Sequence, residues 1–474
     1  MRLSLSFIDM SSEDESFSHP RDILVQVMSR MYGRLLTTSS GGNASIKDAE
    51  GCIWMTPKGN DKGSLTRDEI AYQEANSNEW KGNYPPSSEW PFHTRAYQAR
   101  PDVRAVLHAH SQTLVAFSVA NRLPDTFALS QAANLCGSVG LAHYAMPGSD
   151  ALADTVTQQV VKHDCIIMAN HGVVVVGWTM AECYEKFEAL EFCARAQVRA
   201  GILGGFKQLL TRDDMEAQAI VTTNDRNLLI ESEYSRPVVT TKECDLRATL
   251  AKFVRRSYEQ GLIHSQSGAM SARLTPTSFL ITPSGIDRQS IQPSKIVLIT
   301  FPTVLDAQVG VGAHAYAQPG LTPSRAWAVH NAMYQEFPDT HAIMHAQPFH
   351  IAAFCMTNVD FPPNVIPESY IVLRNVGRIS FLDSLDKERV IQAFKDNDPC
   401  SSLLVDNDGI MVQGKSLEQV FDRLEVLEAT ANVVLECKAL GETNLMTKEQ
   451  TQAIDEVWFG GERIQKKHRQ SSTK

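Results

Sequence analysis

The sequence predicts an α/β chain built as two tandem copies of one domain. Three observations carry this reading. At 474 residues the chain exceeds what one hydrophobic core ordinarily serves. Helical-period runs alternate with short apolar runs of strand length. Above all, the same motifs return at fixed distances. Gly42-Asn43-Ala44-Ser45 and Thr56-Pro57-Lys58-Gly59 answer to Gly268-Ala269-Met270-Ser271 and Thr282-Pro283-Ser284-Gly285 at an offset of 226. Trp90, His93, His108 and Gly172 answer to Trp327, His330, His345 and Gly409 at an offset of 237. Two constant offsets separated by one insertion, placed near Val309–Gly320, mark an internal duplication.

In chain order, residues 1–19 read as a polar tail, and the first copy runs over 20–235. Ile23, Leu24, Val27, Met28, Met31 and Leu35 recur at helical spacing from Arg21 to Leu36. Thr37 to Ser45 is turn-rich, and Cys52–Met55 reads as a strand before the turn at Thr56–Gly59. Glu89–Ala99 is predicted helical, Val103–His108 a strand, Thr113–Ala120 a helix. Cys165–Met168 and Val173–Val176 read as strands joined by a tight turn at Asn170-His171-Gly172. Thr179–Ala200 is a long helix, and Asp213–Glu231 a second, more charged one. Ser235-Arg236-Pro237 breaks the pattern and sets the boundary; the second copy covers 240–460, and 461–474 is a basic, solvated tail.

The chemistry gathers in Pro86–His110, with a hydroxyl pair (Ser87, Ser88), a carboxylate (Glu89) and His108-Ala109-His110. Residues i and i+2 of a strand share a face, so two imidazoles there can share a cation. His171 offers a third, and three histidines leave a coordination position open, as catalytic metal sites require. The second copy keeps its core positions and loses these groups. His108, His110 and His171 become His345, Gln347 and Asp408; Glu89, Asn43 and Ser88 become Ala326, Ala269 and Arg325. Copy two is therefore expected to be a scaffold, the alternative being a different site around His345, Gln347, His350 and Asp408; Trp90 and His93, like Trp327 and His330, are expected in structural roles.

Pro-Ser-Ser-Glu-Trp-x-Phe-His, Arg-Pro-Asp-x-x-Ala-Val-x-His-x-His and His-Gly, preceded by Gly-Asn-x-Ser and Thr-Pro-x-Gly, together resemble the class II aldolase/adducin family, with copy one most like its aldolases. The resemblance implies a central, mainly antiparallel sheet flanked by helices. It implies Zn²⁺, or another divalent cation such as Mn²⁺, on His108, His110 and His171, with Glu89 as acid/base. It implies a phosphate pocket at Ser40, Gly42, Asn43, Gly59, Ser87 and Ser88; Lys58 stands where the aldolases carry a small hydroxyl residue and suits an anion. The family's proton-donating tyrosine falls on Ala128, with Tyr370 of the second copy in a neighbouring region. The implied reaction is retro-aldol cleavage or aldol addition on a phosphorylated ketose or related sugar-acid phosphate. Decarboxylation, epimerisation and a non-catalytic, adducin-like assembly role are the alternatives. The family's fourfold rings imply a homodimer that forms a pseudo-tetrameric ring.

Composition fits a soluble globular protein: 43% hydrophobic and 21% charged residues. A net charge of −10 argues against nucleic acid as a partner. No apolar run approaches the roughly 18 residues of a membrane span, and Met1–Pro20 lacks a signal-peptide pattern. Nine scattered cysteines without a C-x-x-C pair suit a reducing, cytoplasmic setting.

Overall fold

The computed structural model describes residues 18–231, 239–301, 315–397 and 400–471. The first repeat opens with helix α1 (Pro20–Gly33), with proline in its first turn where the missing N–H costs nothing. Strands β1 (Asn43–Lys47), β2 (Ile53–Met55), β3 (Ala71–Gln73) and β4 (Trp80–Lys81) follow, then α2 (Trp90–Ala99), β5 (Ala105–Ala109) and α3 (Gln112–Val119). After α4 (Ser130–Cys136) come β6 (Val139–Ala142), α5 (Asp150–Val160), β7 (Cys165–Met168), β8 (Gly172–Gly177), the long α6 (Met180–Ile202) and α7 (Arg212–Asn227). The strands make one sheet in the order β4-β3-β2-β1-β5-β8-β7-β6, with only β6–β7 parallel.

Alternation along the central strands builds two cores. Leu107, Val173 and Val175 face α1 and α6, where they meet Leu24, Met28, Tyr184 and Phe187. Val106, Val174 and Val176 face α2 and α5, against Phe92, Tyr97, Leu152 and Val156. Burial on both faces explains why Val173–Val176 reads as an unbroken apolar run.

The second repeat, after strand β9 (Leu229–Glu231), repeats this plan. It comprises α8 (Thr241–Glu259), β10 (Ala269–Thr275), β11 (Ser278–Ile281), β12 (Val297–Thr300), β13 (Ala315–Ala317), α9 (Trp327–Glu336), β14 (Ala342–Ala346), α10 (Phe349–Cys355) and α11 (Pro367–Leu373). Then come β15 (Asn375–Ile379), α12 (Phe381–Ser384), α13 (Lys387–Asp396), β16 (Cys400–Val405), β17 (Gly409–Gly414), α14 (Leu417–Leu440) and α15 (Lys448–Ser471). Its sheet runs β15-β16-β17-β14-β10-β11-β12-β13-β9, parallel only at β15–β16 and β13–β9. The duplication extends to single contacts. Asn43 pairs with His108 across β1–β5, and Ala269 with His345 across β10–β14. Ser45 Oγ lies 2.7 Å from His93 Nδ1 and 2.6 Å from the Tyr97 hydroxyl; Ser271 meets His330 Nδ1 and Tyr334 at 2.7 Å each. The mainly antiparallel sheet flanked by helices is as expected.

Three expectations change. The charged helix ends at Asn227 rather than Glu231. Residues 229–231 form β9, which pairs in parallel with β13 and so joins the second repeat's sheet although it precedes the expected boundary. The expected tail from 461 is helical to Ser471, because α15 runs through Gly460-Gly461 instead of stopping there. Trp90 and Trp327 are not equivalent in burial: Trp327 is 4% exposed, Trp90 38%, with its ring 6.2 Å from Trp80. The N-terminal tail before Ser18, the break at 235–237 and residues 309–314 of the insertion lie outside the described residues.

The repeats share a core. Phe192, Cys193, Ala196 and Ala200 of α6 are buried with Leu250 and Val254 of α8, Phe354 of α10 and Leu427 of α14. Beside it, Arg30 of α1 pairs with Asp287, its Nη2 donating to Oδ1 at 2.9 Å, and its Nε donates to the Tyr258 hydroxyl at 2.9 Å. Glu188 accepts from the Ser265 N–H at 2.7 Å and its hydroxyl at 2.6 Å. Among the described residues no helix is long and apolar enough to cross a membrane.

Candidate active site

His108 sits near the end of β5, one residue before the strand's last, and its side chain is fully buried. Its Nδ1–H donates to the Val173 carbonyl of β8 at 2.9 Å, so the lone pair is on Nε2. His110 Nε2 lies 3.0 Å from that atom. His171 approaches from the β7–β8 turn, where Asn170 takes a left-handed φ of 54°. The ligand atoms of the three rings all lie within 4.8 Å of one another.

Glycines allow this crowding. A Cβ on Gly172 would stand 2.7 Å from both the Ala109 carbonyl oxygen and His110 Cδ2, and 3.1 Å from His108 Cε1. Gly42, at φ 70°, has its would-be Cβ 2.5 Å from the His108 carbonyl oxygen.

Glu89 is the residue before α2. Instead of capping that helix, its carboxylate turns to the imidazoles. Oε2 lies 3.3 Å from His108 Nε2, and Oε1 lies 3.2 Å from His171 Nε2. Oε2 also accepts from Asn43 Nδ2 at 2.8 Å. Because that amide nitrogen donates to an oxygen that can only accept, Asn43 Oδ1 must face His93. His93 therefore donates its Nε2–H at 2.6 Å and accepts the Ser45 hydroxyl on Nδ1. The chain Tyr97–Ser45–His93–Asn43 thus ends on the carboxylate and fixes its plane. The spacing of the motifs placed His93 in a packing role. That it stands one hydrogen bond behind Glu89 depends on the meeting of α2 with β1, which sequence spacing does not reveal.

Electrostatics favour a cation. Burial pushes the His108 imidazole down to about 3, with His110 and His171 adding to the shift against Glu89. Burial likewise lowers His110 and takes His93 to about 3. Burial alone would raise Glu89, but His108, His171 and the Asn43 amide outweigh it and hold the carboxyl well below the usual range. Three imidazole nitrogens beside one carboxylate are the donor set of a divalent ion. Glu89 Oε1 and His171 Nδ1, buried and without hydrogen-bond partners among the described residues, leave polar capacity unspent there. For Zn²⁺, ring nitrogens at about 2.0–2.1 Å from the ion suit imidazoles this close together.

The remaining expected residues lie on three adjoining loops. Ser87 is buried, with its hydroxyl 3.4 Å from the Glu89 N–H; Ser40, Lys58, Gly59 and Ser88 are exposed. The loops are joined by backbone hydrogen bonds from Lys62 to Ser39, from Lys58 to Pro85 and from Ser87 to Thr56. Ala128 is fully buried, and its carbonyl accepts from Asn407 of the second repeat. Tyr370 on α11 faces Asp455 of α15.

In the second repeat the same framework holds a different set. Asp408 ion-pairs with His345 Nε2 at 2.8 Å and accepts from the Ser130 hydroxyl of the first repeat. With Ala269 in place of Asn43, His330 Nε2 has no hydrogen-bond partner among the described residues.

The family model for the class II aldolase and adducin N-terminal domain matches residues 22–198 and again 248–435. An L-fuculose phosphate aldolase of Methanococcus maripaludis is 34% identical over 171 residues, 36% of this chain and 92% of the relative. A 3-oxo-tetronate 4-phosphate decarboxylase of Haemophilus influenzae is 27% identical over 179 residues, 37% of this chain and 85% of the relative. A solved L-fuculose 1-phosphate aldolase aligns with 44% of this chain and 95% of its own at 27% identity, with a TM-score of 0.39. With both repeats matched, in the register that the offsets of 226 and 237 describe, the chain belongs to the class II aldolase and adducin N-terminal domain family.

Proposed function

We propose that the first repeat is a metal-dependent carbon–carbon lyase acting on a phosphorylated ketose or related sugar-acid phosphate. The observation that carries this is the convergence of His108, His110 and His171 on one point with Glu89 beside two of them. These histidines would hold Zn²⁺ or Mn²⁺, which when bound draws electron density from the substrate's carbonyl and hydroxyl oxygens. Glu89, kept ionised by its neighbours, acts as the base. In the aldol direction it takes a proton from the carbon next to the carbonyl; that carbon bonds to the aldehyde carbon, whose oxygen gains a proton. In cleavage the hydroxyl gives up its proton, the carbon–carbon bond breaks, and Glu89 returns a proton to carbon. Asn43 holds the carboxylate in plane. Ser40, Gly42, Asn43, Lys58, Gly59, Ser87 and Ser88 bind the phosphate through hydroxyls, N–H groups and the lysine charge.

A decarboxylase reading has one specific support. The position aligned with the aldolases' tyrosine is Ala128 in the first repeat and, at the offset of 237, Val365 in the second, so neither repeat carries a phenol at that position for a departing aldehyde. The chemistry up to carbanion formation is shared. We divide the chain into a working domain over 20–235, a non-metal domain over 240–460, and termini outside both, in a reducing, cytoplasmic setting.

Assembly follows from the chain's own packing. Within one molecule, α4 and α7 of the first repeat line the second repeat's cleft. Their counterparts α11 and α15 belong to the second repeat; α11 follows α4 at the same offset of 237. A homodimer in which these helices cover the partner's first site makes a pseudo-tetrameric ring.

The deciding experiment is retro-aldol and decarboxylase assay of the metal-stripped protein against a panel of sugar phosphates, before and after adding Zn²⁺ or Mn²⁺, with Glu89→Gln alongside. Restored turnover that Glu89→Gln lowers by about 10²–10⁴ is expected. No bound metal and no turnover would leave the assembly role standing instead.

A further inference from the structure

A cavity of about 330 Å³ opens in the second repeat at the place corresponding to the first repeat's site. Loss of the metal-binding residues has therefore not filled the cleft. Its floor carries His345, Asp408 and Gln347. Gln347 is 7% exposed, and its Oε1 has no hydrogen-bond partner among the described residues. A buried amide oxygen of this kind is costly unless something donates to it. Its rim carries Ser284, Ser324 and Arg325. Arg325 is exposed and has no carboxylate partner among the described residues, and its charge reaches Asp408 across the cleft. The cavity's other arginine, Arg288, is committed: Nε, Nη1 and Nη2 donate to the carbonyls of Ser267, Ile286 and Gly268. The acids facing the cleft from the first repeat are answered in part, Glu185 by Arg288 and Asp225 by Lys387. Among the described residues lining the cavity, Arg325 thus remains the arginine not taken up by backbone carbonyls.

We propose that the second repeat is a metal-independent binding site for a small phosphorylated polyol, with the phosphate on Arg325, Ser284 and Ser324 and hydroxyls on His345, Asp408 and Gln347. A planar guanidinium and two hydroxyls lining one cavity suit a phosphate's oxygens. The ion-paired His345 and Asp408, with the unspent oxygen of Gln347, suit hydroxyls that donate and accept. The first repeat's metal-binding set is not reproduced here: Ala326 stands in place of the carboxylate and Gln347 in place of an imidazole. The floor also crosses the repeats, since Ser130 of α4 donates to Asp408, so an occupant would be held by both halves of the chain.

The test is titration calorimetry of sn-glycerol 3-phosphate into EDTA-treated protein carrying His171→Ala, Lys58→Ala and Ser87→Ala, which remove a metal ligand and two phosphate-binding side chains from the first site. Binding near one site per chain is expected, weakened about tenfold or more by Arg325→Ala. Gln347→Leu should weaken glycerol phosphate and leave inorganic phosphate, itself the poorer ligand, unchanged. Absence of binding at millimolar ligand, or affinity untouched by Arg325→Ala, would overturn the site. Inorganic phosphate binding as tightly as the polyol phosphate would overturn the assigned floor. The readout involves neither metal nor turnover, so it stands or falls apart from the lyase reading.

Discussion

Asn43 shows how much of the first site depends on one amide. It donates to Glu89 and accepts from His93, and both partners are buried. The second repeat displays the outcome of losing it, since Ala269 leaves the matching ring nitrogen of His330 unpaired. Asn43→Ala should therefore keep the three imidazoles and the bound metal while freeing the carboxylate's plane. A fall in activity of about 10–100-fold at unchanged metal content is expected; full activity would show that the carboxylate needs no such support. Gly172 is a different kind of dependence. Gly172→Ala puts a methyl 2.7 Å from both the Ala109 carbonyl oxygen and His110 Cδ2, and neither the strand nor the ring can move without shifting the other. Displaced His110 should lower metal affinity, with a stability loss of about 1–3 kcal/mol. Metal titration and urea unfolding check the two effects together, and an unchanged affinity would mean the ring has room to retreat.

At the scale of elements, α6 links the two halves. Its glutamates at 185, 188 and 191 recur every three residues. Glu188 meets Ser265, Glu191 accepts from the Ser111 hydroxyl and the Leu114 N–H just past His110, and Glu185 faces the second repeat's cleft. Burial pushes Glu185 up to about 7, against the pull of Arg288 and with the push of Glu188, Asp287 and Glu182. A carboxyl whose folded pKa exceeds the ordinary 4.5 holds a proton that the unfolded chain releases. Stability then declines as pH rises from about 4.5 to about 7 and stays lowered above that window. Glu185→Gln should accordingly stabilise the protein at pH 8 by about 1–3 kcal/mol and leave it unchanged near pH 4. Urea unfolding at both pH values tests this; an equal gain at both would assign the effect to packing rather than to the proton.

Elements with their own signal were legible in the sequence: the valine run of β8, the amphipathic α1, α2, and the duplication marked by the offsets of 226 and 237. The metal-ligating candidates were legible too, because His108, His110 and His171 sit on adjacent strands or their ends. What escaped depends on contacts between distant segments. Leu229–Glu231 follows a helix with no turn residue between them, and it is a strand because Ala315–Ala317 is there to pair with it. The basic terminus read as a solvated tail from its charge, yet α15 continues through Gly460-Gly461 to Ser471. His93 and Ser45 form a linked pair only once β1 lies beside α2.

For the whole molecule, the shared core and the Arg30–Asp287 pair mean that neither repeat is closed by itself. The closure is also unequal. One chain covers the second repeat's cleft with α4 and α7, but the helices in the corresponding places, α11 and α15, lie at the far end of the second repeat, and α15 presents Val457 and Trp458 at 80% and 64% exposure. Large apolar groups that exposed are characteristic of a surface awaiting a partner. If a second chain supplies that surface to the first site, the particle is a dimer by mass and a ring of four similar units by shape. Light scattering should give twice 52.5 kDa. Trp458→Asp together with Val457→Asp should halve that mass and lower turnover while the three histidines still bind metal, because the pair lies outside the ligand set. A monomeric wild-type protein with full activity would refute the ring, and a dimer whose dissociation leaves turnover intact would show that each first site is complete within its own chain.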